Sequence, residues 1–396
     1  MHRDWNNIGR IIILRRFTSF QRHHWRMRFV TETLLITLMT VPPVHARAQT
    51  DEQVQQLISR EIASMLPADR AAGAAVAVRI NGQTLFFNYG MADLKRNEPV
   101  TSDSLFNLAS VGKVFDATLL ALAVKQNELS LDDPAAKFLP ELAQGGDVRR
   151  FTIGQLASHT SGLLLPQDHP PWPVEHYTLP DFFRTLNAWT EDRGHVPGEQ
   201  HMYTHAGYVL LHLALERRFD TPLADLLDRR ILKPLGMTST TLPQGRGPNP
   251  RGELDSRLMG RAVQGYDEHG VPIGEPGDIQ GYYLWSGAGQ MFSSARDLAV
   301  FLAANLGELP DVRALSDAMA LAQQPVFQIS RNNAQALAWE INLNATPIVE
   351  KNGGLNNSST YIGIVPSAKT GIVILTNRGE LNPAEVGRRI LLQLVQ

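Results

Sequence analysis

At 396 residues, with 43% hydrophobic and 19% charged residues, the chain has the composition of a folded globular protein and the length for one to three domains. The formal net charge of −2 hides an asymmetry: residues 1–48 carry eight Arg against Asp4 and Glu32, leaving 29 basic and 37 acidic residues in the body. An acidic body excludes nucleic acid as a partner, because phosphate binding needs a basic face. The absence of Cys excludes a disulfide framework, a thiolate metal site and a lipid-anchoring thiol.

The N-terminus reads as an export segment. Arg28 follows Met27 as a positive flank, Phe29 to Val41 is mostly apolar, and Ala46-Arg47-Ala48 places small residues where a signal peptidase cuts. Residues 1–48 are therefore expected to be removed, with Met1–Arg26 an upstream extension and Gln49 near the mature start. The apolar stretch is short for a bilayer span, so the expectation is a periplasmic protein with no membrane anchor after processing.

Residues 51–66 repeat apolar positions at helical spacing. GAAVAVRI and TLFFNYG follow, joined through Asn81-Gly82-Gln83; Asn-Gly tolerates positive φ, which predicts a hairpin. Phe106–Gln126, Leu179–Ala188, Gly207–Phe219 and Leu223–Ile231 read as helices, and Ser294 with Asp297 marks another helix start. A second hairpin, STYIGIVP and TGIVILTN, precedes a last helix from Pro383 to about Val395. Strands at both chain ends, each beside a terminal helix, predict an α/β (α+β) fold with one antiparallel sheet built from both termini. The expected division is an α/β domain from 49–126 and 262–396, with an all-α insert over 127–261.

Ser110-Val111-Gly112-Lys113 is the one Ser-x-x-Lys in the chain, and it opens a run, Val114 to Val124, too uniformly apolar for a surface helix. Residues three apart share a helix face, so the Lys113 amine can reach the Ser110 oxygen. The positive end of the helix dipole favours an alkoxide there. A lysine entering an apolar helix is costly unless neutralised or paired, and desolvation with a second cation would lower its pKa toward that of a base. A capping serine beside a snorkelling lysine is the plain structural alternative.

Around that pair stand further segments. Thr152-Ile-Gly-Gln-Leu-Ala-Ser-His159-Thr-Ser-Gly162-Leu leads to Gln167. Val196-Pro-Gly198 leads to His201, Tyr203, His205 and Tyr208, and Lys351-Asn352-Gly353-Gly354 precedes the Thr360–Pro366 strand. Through these the chain, from about residue 50 onward, resembles the class C β-lactamases and their relatives, which include D-Ala-D-Ala peptidases and β-lactamase-like esterases. The resemblance implies a β-lactamase/transpeptidase-like fold with the site where two domains meet. It implies Ser110 as nucleophile, Lys113 as base, Tyr203 as proton relay and Lys351 as second cation. Gly354 and Ser110 would give the oxyanion-hole amides beside Gly353, and Gln167 and Asn382 would contact substrate. Lys369-Thr370-Gly371 has similar letters but falls in a hairpin turn.

The chain departs from that family in three places. His205 stands where the family has Asn, which could alter amide recognition or make activity pH-dependent. The segment between Trp339-Glu340 and Lys351 is short, which should open the pocket. The run after Gly354 is polar. No Ser-Asp-Asn, Gly-x-Ser-x-Gly or His-Glu-x-x-His pattern is present.

The sequence thus predicts hydrolysis of a β-lactam amide through a serine acyl-enzyme, with a D-Ala-D-Ala carboxypeptidase acting on a peptidoglycan-like peptide and a carboxylesterase as alternatives. No cofactor is required by this reading, and a zinc at His205 with His201 is the minor one. The partner expected is a small molecule, and the protein is expected to be a monomer.

Overall fold

The computed structural model describes residues 50–165, 178–243, 252–278 and 290–396. The expected export segment and Gln167 lie outside the described residues. Helix α1, Asp51–Ala63, begins at a capping box in which Thr50 and Gln53 each satisfy the other's backbone amide. Its buried face is Val54, Leu57, Ile58 and Ile62.

Strands β1 (Gly73–Ile80) and β2 (Gln83–Asp93) form the expected hairpin, with Asn81 and Gly82 at φ of 52° and 73°. Those positive values are what a two-residue turn between right-twisted strands demands. Beyond β3 (Glu98–Pro99), the sheet is completed from the C-terminal half. Its further strands are β4 (Phe327–Ser330), β5 (Asn333–Gln335), β6 (Glu340–Asn342), β7 (Ile348–Leu355), β8 (Ser358–Val365) and β9 (Thr370–Thr376). Among the described residues the order is β3-β2-β1-β9-β8-β7-β6-β5-β4, antiparallel throughout, with Val76 opposite Ile374 where the first strand meets the last.

Both faces of the central strands β1, β9 and β8 are buried, and the two-residue period of the strands sorts them. Ala74, Val76, Val78, Ile372 and Ile374 pack with α1 and with the last helix, α7 (Pro383–Leu394). Ala75, Ala77, Val373 and Leu375 join the larger core with α2 (Lys113–Lys125) and α5 (Ala295–Asn305). The Ser294 hydroxyl caps α5 by accepting from the Asp297 amide, as the sequence predicts.

The expected single helix over Phe106–Gln126 is corrected. Phe106–Asn107 pairs antiparallel with Phe292–Ser293, a 3₁₀ turn covers Ala109–Gly112, and only Lys113 onward is α-helical. Every side of this stretch is buried, so its hydrophobicity carries no period that could mark where the helix starts. In the middle of the chain α3 (Leu179–Ala188) and α4 (His205–Phe219) match their expected positions. The helix expected over 223–231 is a short α-turn, Leu223–Leu227, that widens into a π-turn over Asp228–Leu232. Between 127 and 261 the described residues contain no strand beyond isolated bridges. A further helix, α6 (Arg313–Ala322), and strands β4 to β6 have no counterpart in the sequence reading.

Candidate active site

The site begins at a strained turn. Ala109 has φ of 48°, in the left-handed region that L-residues avoid, and Asn107 Oδ1 holds it there by accepting from the Ala109 amide at 2.9 Å. Thr360 Oγ1 on β8 donates to the Leu108 carbonyl at 2.8 Å, tying the turn to the sheet. Strand β7 crosses so closely that a Cβ on Gly353 would sit 2.5 Å from the Leu108 carbonyl oxygen and 2.9 Å from the Ser110 nitrogen. Gly354, next along, has nothing within 4 Å of where its Cβ would be, so that side faces open space.

Ser110 emerges from this turn with 8% of its surface exposed, and two groups converge on its oxygen. Lys113 Nζ donates to Ser110 Oγ at 3.1 Å, and the Tyr203 hydroxyl donates to it at 2.8 Å. Lys351 Nζ lies 4.8 Å from the centroid of the Tyr203 ring, and Lys113 Nζ 5.5 Å. The helix-start geometry expected from the sequence is therefore met differently: Ser110 lies within the 3₁₀ segment Ala109–Gly112, and Lys113 opens α2.

Burial holds the Lys113 ammonium below its ordinary range, and the charge of Lys351 pushes it in the same direction. For Tyr203 burial works upward, but the ammonium groups of Lys113 and Lys351 outweigh it and leave the phenol more acidic than usual. Lys351 goes the other way. Although buried, it is raised by Tyr203 and by Glu340, whose Oε1 accepts from its Nζ at 2.6 Å. Two buried lysines a few ångströms from one phenol thus divide into one that releases its proton readily and one that keeps it.

Tyr203 is placed by the segment Ala157–His159. His159 sits at φ of 55°, and its ring stacks on the Tyr203 ring at 4.2 Å and 29°. Its carbonyl accepts from the Met202 amide at 2.7 Å and its Nδ1 from the Thr204 amide at 3.3 Å. Thr204 then caps α4, and the Tyr208 hydroxyl donates to the Ala157 carbonyl at 2.8 Å. Burial and the neighbouring lysines hold the His159 imidazole far below its usual pKa.

His205, the first residue of α4, is buried, and desolvation together with Lys113 and Lys351 pushes its pKa down to about 2. A neutral imidazole there offers one donor and one acceptor. His201 is partly exposed and also lowered, chiefly by burial. Among the described residues no group of three His, Asp or Glu stands ready to take a metal.

Asn382 is engaged as the cap of α7, accepting from the Glu385 amide at 3.2 Å and donating to Glu385 Oε2 at 3.0 Å. Lys369 lies in the last hairpin turn, where its amine meets the Leu306 carbonyl. Two site residues escaped the sequence reading, His159 and Glu340. Both stood in quoted segments, Ser-His-Thr-Ser-Gly and Trp-Glu, but nothing in the spacing tied them to Tyr203 or Lys351.

A serine flanked by a low-pKa lysine and an acidified tyrosine defines a serine hydrolase site. The chain belongs to the beta-lactamase family, whose model matches residues 51–396. A β-lactamase of Pseudomonas fluorescens is 26% identical over 369 residues, covering 84% of this chain and 96% of that one. A β-lactamase of Yersinia enterocolitica is 27% identical, with 90% and 96% covered. Among solved structures, D-alanine carboxypeptidase AmpC from Burkholderia cenocepacia superposes with a TM-score of 0.73 at 25% identity, covering 87% of this chain and all of that one. The class C β-lactamase of Rhodobacter sphaeroides gives 0.71 at 27%, with 86% and 98% covered.

Proposed function

We propose that this protein hydrolyses β-lactam amides through an acyl-enzyme on Ser110. The observation that carries the reading is the pair of short contacts on one oxygen, 3.1 Å from Lys113 and 2.8 Å from Tyr203. In the first half, Lys113 takes the Ser110 proton as Oγ bonds to the carbonyl carbon. The Ser110 and Gly354 amides receive the oxyanion, and the lactam C–N bond breaks as Tyr203 delivers a proton to the leaving nitrogen. Lys113 then returns its proton to Tyr203. In the second half the same pair deprotonates water, which attacks the ester carbonyl, and the C–O bond to Ser110 breaks with its proton restored. Lys351 draws in the substrate carboxylate, with Gln167 and Asn382 as further substrate contacts and His205 supplying the hydrogen bonds that Asn gives in the family. No cofactor enters any step.

The test is turnover of a chromogenic cephalosporin with intact-mass detection of a Ser110 adduct. Full hydrolysis by Ser110→Ala refutes the assignment. A D-alanine carboxypeptidase is the second reading, favoured by the Burkholderia relative of that name. It would hold a penicilloyl adduct for hours while releasing D-alanine from peptides. Hydrolysis of short aryl esters but not of β-lactams would favour an esterase instead. The reading includes export of the chain with loss of residues 1–48 and an all-α insert over 127–261 facing the α/β part. It also has the protein working as a monomer in the periplasm.

A further inference from the structure

The mechanism leaves unused a set of buried ionisable groups on the far side of Lys113. Asp116 lies one helical turn beyond Lys113 on α2, so Ser110, Lys113 and Asp116 follow at intervals of three from the buried 3₁₀ turn into the helix. It is 6% exposed, and an isolated carboxylate in such a place is costly unless it neutralises or finds a cation. The titratable groups that reach it are Lys113 from its own helix and Tyr208 and His212 from α4. His212 is itself 3% exposed, and its Nε2 lies 3.1 Å from Glu216 Oε1, one turn further along α4. Glu216 is anchored in turn by the Leu223 amide at 2.7 Å. Between α2 and α4, Lys113, Asp116 and His212 are thus buried together, with the half-buried Glu216 at the outer end and the catalytic base at the inner one.

We infer that Asp116 is a tuning residue that sets the basicity of Lys113 from behind, opposing Lys351 on the substrate side. The inference rests on the Ser110–Lys113 reading and deepens it. Burial and Lys351 both drive Lys113 toward the free amine, and an amine driven too far is a poor base because proton-transfer efficiency follows basicity. Tyr203 is the larger influence against that drift, and a carboxyl one turn away adds to it, since an ionised Asp116 also favours the ammonium form of Lys113. Burial raises Asp116 to about 7, while the charges of His212 and Lys113 hold it from going higher. The carboxyl therefore changes charge within the working range. As it ionises, Lys113 gives up its proton less readily, and the acid side of the rate profile is spread over a wider pH span than one group would give.

The experiment compares wild type, Asp116→Asn and His212→Gln in the pH dependence of kcat/KM for a chromogenic cephalosporin. In parallel, the rate at which a fluorophosphonate probe phosphonylates Ser110 is read by intact mass. For Asp116→Asn the acid limb should move to lower pH by roughly one unit and become steeper. The plateau should fall about threefold as the base weakens. His212→Gln should shift the limb the same way by less, because Asp116 without the imidazole stays protonated longer. Superimposable profiles in all three, with normal thermal unfolding, would overturn the inference. The probe keeps the two readings apart: no phosphonylation of wild-type Ser110 at any pH sinks the nucleophile assignment, whereas phosphonylation with an unmoved profile sinks only the role of Asp116. If Asp116→Asn does not fold, the His212→Gln profile decides.

Discussion

Lys351 Nζ lies 2.6 Å from Glu340 Oε1, so the cation that faces Tyr203 is already partnered by a carboxylate. Lys351 is 2% exposed in its side chain and Glu340 36%, which leaves the acid as the member of the pair that an incoming anion can displace. A substrate carboxylate must compete with Glu340 for the ammonium group. Glu340→Gln removes the competitor, so KM for a carboxylate-bearing β-lactam should fall about threefold to tenfold. For a neutral aryl ester KM should not change. The exchange costs roughly 2 kcal/mol of stability, less than for a fully buried pair because Glu340 is partly solvated. Equal KM changes for charged and neutral substrates would show that Glu340 acts by another route.

The close crossing of β7 over the nucleophile turn gives a second prediction. A methyl group on Gly353 would meet the Leu108 carbonyl oxygen and the Ser110 nitrogen, both backbone atoms that cannot swing aside. Gly353→Ala should cost about 1–3 kcal/mol by overpacking. By pushing the strand off Ser110 it should cost on the order of 100-fold in kcat/KM. Gly354→Ala, with open space where its Cβ would fall, should leave stability within about 0.5 kcal/mol of wild type. Urea unfolding of the two variants beside steady-state kinetics makes the comparison, and equal unfolding midpoints for both would contradict it.

How far the sequence carries can be read from these same positions. The two hairpins were legible because Asn81-Gly82 and the Ser367–Lys369 turn punctuate runs of alternating or β-branched residues. The strand β7 bearing Lys351 and Gly353 was placed by motif, and its neighbour β8 by composition. What was not legible is tertiary. The turn before Ser110 is fixed by Thr360, 250 residues later, and by Asn107, whose short side chain signals nothing in a uniformly apolar context. Strands β4 to β6, at one end of the sheet, are three or four residues long, too short for their alternation to stand out as a pattern. His159 and Glu340 matter through stacking and an ion pair across distant segments, a relation that spacing along the chain does not encode.

Tyr203 and His159 make a third prediction. Tyr203→Phe removes the hydroxyl that contacts Ser110 Oγ and should lower kcat/KM by about 100-fold to 10,000-fold, with the fold intact by circular dichroism. His159→Asn keeps a residue that tolerates positive φ and an acceptor for the Thr204 amide, but loses the stacked ring. Its effect should fall on kcat, about tenfold, with KM within about twofold of wild type, because the ring orients a proton carrier rather than the substrate. A change confined to KM would mean that His159 shapes the binding surface instead.

The buried imidazoles also set a limit in acid. His205 is near 2, so between pH 6 and pH 3 it takes up no proton in the folded state, and burial lowers His159 in the same direction. In the unfolded chain each titrates near 6.5. Below that pH the unfolded state binds more protons than the folded one, so stability is fully present above about 6.5 and falls as the pH drops. Each imidazole contributes about 1.4 kcal/mol of loss per pH unit once well below its unfolded value. His205→Asn should therefore flatten the fall in unfolding free energy between pH 5 and pH 4 by about 1.4 kcal/mol, with the carboxylates contributing equally to both proteins. Urea titrations at those two pH values measure the difference. Parallel slopes for wild type and His205→Asn would mean that the folded imidazole is charged, which two lysines beside it in the protein interior make unfavourable.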